Sequence, residues 1–164
     1  NMIKIFITRG TIDKSYTHID GNLNFKKTHL PEMIKRSKCT LPIEIETILM
    51  KDSLDFSHYD ISKIVNSCKN EKNKKIILTH GTDTMTETAS FIAKSQLKSK
   101  TIILTGAMIP YAFGSSSDGF FNLGCSLSFA QTLKPGVYIC MQGKAFEWDK
   151  VKKNKKLGFF ENIN

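Results

Sequence analysis

The chain has 164 residues, 40% of them hydrophobic and 24% charged, a balance that suits one globular domain and is too apolar for a disordered chain. Its formal charge is +9, and its four cysteines form no C-x-x-C pair, which argues against zinc and against a disulfide framework. No stretch approaches the roughly 18–20 consecutive apolar residues of a membrane span, and the apolar N-terminus is too short for a signal peptide, so a cytoplasmic protein is expected.

Residues 3–8 (IKIFIT) are β-branched and aromatic and read as a first strand ended by Arg9-Gly10. A long polar loop over 9–29 follows, and residues 30–36 form a short helix with Pro31 tolerated in its first turn. Residues 43–49 (IEIETIL) alternate as a second strand whose acidic positions imply one wet face. Over 57–68, Ile61, Ile64, Val65 and Cys68 recur at the spacing of an amphipathic helix. A short apolar strand at 76–79, a helix at 84–96, a strand at 101–105, a helix at 118–132 and a strand at 137–141 complete the order. Strand and helix alternate throughout. That order predicts an α/β fold, a doubly wound and mostly parallel sheet of about five strands with helices on both faces, a Rossmann-like three-layer arrangement.

In such sheets ligands bind beyond the carboxyl ends of the strands, at a switch in strand order. The loops at that rim carry Thr11, Ser53, His80, Thr82 and Asp83, hydroxyls and a carboxylate suited to nucleophilic attack on a polar substrate. No G-x-S-x-G elbow, phosphate loop or G-x-G-x-x-G fingerprint is present, which removes weight from serine-hydrolase, NTPase and dinucleotide readings. Plainer roles stand beside each residue. Thr84-x-x-Glu87 fits a capping box, Asp52-Ser53 and Thr11 fit turns, His80 fits a satisfied strand-end histidine, and Lys153 fits a solvated lysine run. Because the basic residues are nearly all lysine, with arginine only at Arg9 and Arg36, the charge reads as a solvated face, and no nucleic-acid partner is expected.

Five segments, in order, resemble bacterial-type L-asparaginases: Gly10-Thr11-Ile12; Asp52-Ser53-Leu54-Asp55; Thr79 to Met85 (THGTDTM) with Glu87-Thr88-Ala89; Thr105 to Pro110 (TGAMIP); and Ser117 to Leu123 (SDGFFNL). The likeness spans almost the whole chain and is to the N-terminal domain of that family. It implies one domain over 2–164, a compact branch without the C-terminal domain of larger relatives. It also implies a hydrolase that converts L-asparagine to L-aspartate and ammonia through a threonine nucleophile and an acyl-enzyme, with no metal or organic cofactor.

The same resemblance makes Thr11 the nucleophile, assisted by Tyr16, with Thr82, Asp83 and Lys153 as a second catalytic group. The match for that lysine is Val151-Lys152-Lys153-Asn154, where Lys150 and Lys152 are close neighbours. Ser53 would hold the substrate carboxylate and Asp83 its ammonium, with Asp55, Gly81 and Ala107 completing the substrate pocket. A small amino-acid amide is the partner implied, along with a homodimer or homotetramer that covers the rim, and no membrane. Arg9 stands where the family usually has glycine, so the alternative is a catalytically impaired amino-acid-binding module of the same fold. If that site needs a positive φ, an arginine there is strained.

Overall fold

The computed structural model of the protein describes residues 2–16, 23–24, 27–49 and 51–163. In chain order the elements are β1 (Ile3–Ile7), a two-rung hairpin of β2 (Ser15–Tyr16) and β3 (Leu23–Asn24), α1 (Leu30–Arg36), β4 (Ile43–Thr47), α2 (His58–Asn70), β5 (Lys75–Thr79), α3 (Met85–Lys94), β6 (Thr101–Thr105), α4 (Gly119–Thr132), β7 (Gly136–Met141), β8 (Lys144–Glu147), β9 (Val151–Asn154) and β10 (Phe159–Asn162). Much of the 9–29 loop, at 17–22 and 25–26, lies outside the described residues. Among those described, no helix is long and apolar enough to cross a membrane.

Six strands form one sheet in the order β4-β1-β5-β6-β7-β8. The first five are parallel and β8 pairs antiparallel with β7. The expected mostly parallel α/β sheet is therefore present, with one antiparallel strand, β8, beyond the five the sequence suggested. The β7–β8 connection is a two-residue turn, Gln142 (φ 60) and Gly143 (φ 80), in which both central residues are left-handed. Such a turn matches strand twist and favours Asn-Gly, so a Gln-Gly pair carries a weaker hairpin signal. Beyond β8, β9 and β10 form a separate antiparallel hairpin.

Side-chain alternation along the strands builds two cores. Ile3, Ile5 and Ile7 of β1 pack with Leu30 and Met33 of α1 and Leu123 and Leu127 of α4. Phe6 faces the other layer with Ile64 and Cys68 of α2 and Ala89 and Ile92 of α3. Each fully buried Ile or Leu contributes roughly 1.5–3 kcal/mol. The acidic face expected on β4 has a specific use. Lys4 of β1, 5% exposed, reaches Glu44 at 2.6 Å and Glu46 at 3.0 Å.

From β1 the chain leaves toward β4 on one side, and from β5 it leaves toward β6 on the other. The reversal of direction lies between β1 and β5, which fixes where a crevice opens.

Helix starts differ from expectation. The Thr84–Glu87 capping box does not form: Thr84 has φ −116 and ψ 12, outside the extended region an N-cap needs, and its buried hydroxyl makes no hydrogen bond. A reciprocal box forms instead at α2, where Asp60 N–H donates to Ser57 Oγ at 3.3 Å and Ser57 N–H donates to Asp60 Oδ2 at 2.8 Å. Ser57→Ala should therefore cost about 1 kcal/mol in urea melts, whereas Thr84→Val should stay within about 0.5 kcal/mol of the parent.

Candidate active site

Arg9 ends the first strand in the left-handed region at φ 67 and is 2% exposed. The expectation of a positive φ at this position is met, and an arginine occupies it. Gly10 then lies flat on the next loop: a Cβ there would sit 2.7 Å from Gly81 N and 2.8 Å from the His80 carbonyl carbon. Thr11, half-buried, opens a single 3-10 turn over Thr11–Asp13. Asp13 is buried in that turn and accepts the His29 N–H at 2.7 Å. Burial pushes its carboxyl above the usual range, against the opposing His29 N–H, the Thr28 hydroxyl and the charges of His29 and Arg9.

Lys14 reaches Asp52 at 3.1 Å and so ties the β1 loop to the β4 loop. Asp52 also accepts the Leu54 N–H at 3.1 Å and starts the turn Ser53–Asp55. Burial would raise the Asp52 carboxyl, but the Leu54 N–H and the Lys14 ammonium outweigh it and hold the group below the usual range. Ser53, 4% exposed, fits against Gly81 so closely that a Cβ on Gly81 would lie 2.2 Å from its Oγ.

His80 is fully buried. Its Nδ1 donates to Gly81 O at 2.7 Å, which leaves Nε2 to accept the Thr88 hydroxyl at 2.7 Å. Burial lowers its pKa to about 4, so it is a neutral tie between the β5 loop and α3. The plainer of its two sequence readings, a satisfied histidine, is the one the contacts support.

Next to it, Thr82 is 7% exposed and Asp83 opens to solvent. Lys153 Nζ donates to Thr82 Oγ1 at 2.8 Å and to Asp83 Oδ1 at 2.6 Å. Strand alternation selects this lysine from its run. Val151 and Lys153 share the inward face of β9, with Val151 in the core, while Lys152 turns outward to Glu161 at 3.8 Å. Lys150 pairs with Glu147 at 2.5 Å. The lysine cluster therefore does not surround Lys153 with cations; its nearest charge is Asp83.

Ala107 is buried in the loop after β6. That loop is held by Asp118, whose carboxylate accepts the Met108 and Ile109 N–H groups at 3.0 Å. Asn122, one helical turn on, donates to Gly106 O at 2.9 Å and to Asp118 Oδ2 at 3.1 Å, and accepts the Gln142 N–H at 3.3 Å. Neither Asp118 nor Asn122 was singled out as a site residue. Their signal is a carboxylate and an amide at i, i+4 on the first turn of a helix.

Of the expected residues, Ser53, Gly81, Thr82, Asp83 and Lys153 are in mutual contact or adjacent, and Thr11 follows the glycine that touches Gly81. The Asp55 side chain is exposed, and its N–H closes the turn onto Asp52 O at 2.9 Å. Tyr16 is placed by its backbone in β2; its side chain lies outside what is described. Burial lifts the Cys68 thiol to about 12 and Cys140 to about 11, so neither is a thiolate at neutral pH. Among the described residues no group of three or more His, Cys, Asp or Glu is placed to hold a metal.

Comparison with known proteins gives the family and the fold. The family model described as asparaginase, N-terminal, matches residues 2–163. The thermostable L-asparaginase from Thermococcus kodakarensis superposes with a TM-score of 0.86 at 27% identity, covering 100% of this chain and 52% of that one. A probable cytoplasmic L-asparaginase from Campylobacter jejuni gives 0.84 at 26% identity, covering 98% and 52%. L-asparaginase 2-3 of Saccharomyces cerevisiae is 32% identical over 143 residues, 80% of this chain and 38% of that protein. The chain thus spans about half the length of the solved structures it matches.

The His80 environment sets a pH dependence. Folded, it stays neutral down to about pH 4, whereas the unfolded chain takes up the proton near 6.5. Stability should therefore be full above pH 6.5 and fall toward pH 4, by up to about 3 kcal/mol from this residue. Asp13, raised by burial, acts in the opposite sense, so the measurement is the difference between wild type and His80→Gln in urea melts at pH 7, 6, 5 and 4. The variant should lose the downward component of the slope, and the wild-type His80 ring resonances should remain those of neutral imidazole at pH 5.5.

Proposed function

The chain belongs to the asparaginase family, matched by its N-terminal domain, and from that premise we propose that it hydrolyses the side-chain amide of L-asparagine to L-aspartate and ammonia. The observation that carries the reading is the contact of Lys153 Nζ with both Thr82 Oγ1 and Asp83 Oδ1, at 2.8 and 2.6 Å, on the rim that also bears Thr11 and Ser53. In this reading the Thr11 oxygen bonds to the amide carbon, its proton passes to the departing nitrogen, and the C–N bond breaks to give ammonia and an acyl-enzyme ester. Water then cleaves the ester, regenerating the hydroxyl and releasing aspartate.

Tyr16 assists loss of the Thr11 proton. The Thr82–Lys153 contact offers a route along which a proton can shift as charge develops. Ser53 and the N-terminus of α3 receive the substrate carboxylate, and Asp83 its ammonium, with Asp55, Gly81 and Ala107 shaping the pocket. Neither metal nor organic cofactor enters these steps.

We read the chain as one domain, because its main sheet and the layers on both faces share continuous cores. The rim is open, with the Asp83 side chain 40% exposed, so a neighbouring subunit of a homodimer or homotetramer supplies the cover. The described cysteines are free thiols, as suits the cytoplasm.

A second reading rests on Arg9. A buried, left-handed arginine immediately before Gly10-Thr11 favours a module that binds the amino acid without turning it over.

Coupled ammonia-release kinetics separate the two. For an active enzyme, Thr11→Ala, Thr82→Val and Lys153→Met should each lower kcat by about 10²- to 10⁴-fold, while Lys152→Met on the outward face stays within about twofold. Asparagine binding by calorimetry without ammonia release would select the binding module. Sedimentation and activity at matched concentrations test the cover: a fully active monomer would refute it.

A further inference from the structure

We propose that Gln142 is a positioning residue for Lys153, acting through the main chain of Phe160; the inference rests on the amidohydrolase reading above. Gln142 is the first residue of the two-residue turn between β7 and β8, and it is left-handed at φ 60. A non-glycine residue other than Asn or Asp is disfavoured there by roughly 1–2 kcal/mol. The side chain explains its presence. Gln142 Nε2 donates to Phe160 O at 3.0 Å, and the Phe160 N–H donates in a short hydrogen bond to Gln142 Oε1.

An antiparallel strand residue points its N–H and C=O to the same side. Phe160 spends both on Gln142, so they point away from β9. The glutamine amide thus stands in for the peptide of a third strand along the outer edge of β10. Phe160 is 1% exposed, so these backbone groups need partners that water does not supply.

Phe160 is the residue paired in register with Lys153. The clasp therefore fixes the backbone directly across from the lysine whose ammonium meets Thr82 and Asp83. Val151 and Phe160 also anchor this hairpin by inserting into the core, and the Ile163 N–H to Lys150 O bond at 2.9 Å extends the hairpin by one rung. Gln142 is itself anchored, since its N–H donates to Asn122 Oδ1 at 3.3 Å and Asn122 holds the β6 loop through Gly106 O. A continuous series of amide contacts thus runs from the loop bearing Ala107 to the hairpin bearing Lys153. Asparagine, which the turn prefers, is one methylene too short to keep both bonds to Phe160.

Gln142→Asn and Gln142→Glu test the proposal, with two readouts. The first is kcat and KM for ammonia release. The second is the proton-exchange rate of the Lys153 ammonium by ¹⁵N NMR, assigned with Lys153→Met, which needs no turnover. Both variants should keep KM within about twofold, lower kcat about tenfold or more, and speed ammonium exchange by a similar factor.

For Gln142→Glu the exchange rate, taken as a ratio to wild type at the same pH, should return toward one as the pH falls and the introduced carboxyl protonates, because a carboxylic acid again offers one donor and one acceptor to Phe160. A general loss of stability would not reverse on acidification. Unchanged exchange and kcat in both variants, or a ratio of Gln142→Glu to wild-type exchange that stays raised at low pH, would overturn the proposal. A wild-type protein that releases no ammonia would instead sink the amidohydrolase reading, and ammonium exchange would still decide the clasp.

Discussion

The peptide between His80 and Gly81 is the constraint on which the rim depends. Gly10 lies against it from the β1 loop, and Ser53 Oγ occupies the space where a Gly81 side chain would stand. From the β6 loop, a Cβ on Gly106 would come within 2.4 Å of His80 O. Four neighbouring strands end beside one another in any parallel sheet, with spacings near 4.8 Å. Their loops become one site only where they pack closely, and here a Cβ on Gly10, Gly81 or Gly106 would come within 2.7, 2.2 or 2.4 Å of the neighbouring loop, which leaves no room for a methyl group. His80 secures the next peptide, Gly81–Thr82, by giving one ring nitrogen to Gly81 O and the other to Thr88, so the imidazole is consumed in holding the start of the Thr82–Asp83 segment in place. A neutral, buried histidine suits that task, because a charged one would cost several kcal/mol in the same surroundings.

The sheet was legible because its central parallel strands are apolar runs, β4 alternates, and the helix over 57–68 carries a clear stripe. Residues 30–36 were placed within the bounds of α1, and the rim followed from the order of elements alone. The segment after β7 was not legible on the same grounds. β8, β9 and β10 are four residues each, and seven of their twelve residues are polar or charged, so no apolar run marks them. Lys153 therefore read from composition as one of several surface lysines, and only the resemblance singled it out. The local clue was the two-residue period: Val151 and Lys153 inward, Lys152 outward. Capping failed for a related reason. Thr84-x-x-Glu87 and Ser57-x-x-Asp60 both fit the pattern, with Asp in place of Glu in the second, but the rim holds Thr84 in a conformation that excludes the cap.

The excess of lysine has a structural account that does not involve a polyanion. Lys4 joins two glutamates on the neighbouring strand. Lys100 donates to the Cys68, Lys69 and Glu71 carbonyls at 2.6, 3.0 and 2.5 Å and so closes the C-terminal end of α2, where orphan carbonyls and the helix dipole favour a cation. Lys75 reaches Gln131 O at the end of α4 at 2.9 Å. A lysine stem covers apolar surface while its ammonium finds a carbonyl, so lysine can terminate helices where a shorter residue could not. Net charge alone therefore overstates the cationic surface available to a partner.

Arg9 and Gln142 are left-handed residues at the ends of β1 and β7, and each bears a side chain where glycine would be unstrained. Such conformations persist when the surroundings determine them more strongly than the local torsion opposes them. At Gln142 the compensation is explicit in two hydrogen bonds to Phe160. At Arg9 the strain falls one peptide before Gly10, whose contact with Gly81 leaves the backbone no alternative path. The β1 register and that contact together bracket Arg9. The 3-10 turn at Thr11 consequently starts from a fixed point. The strain thus falls on the backbone leading into the turn, and Thr11 itself keeps the helical geometry of that turn.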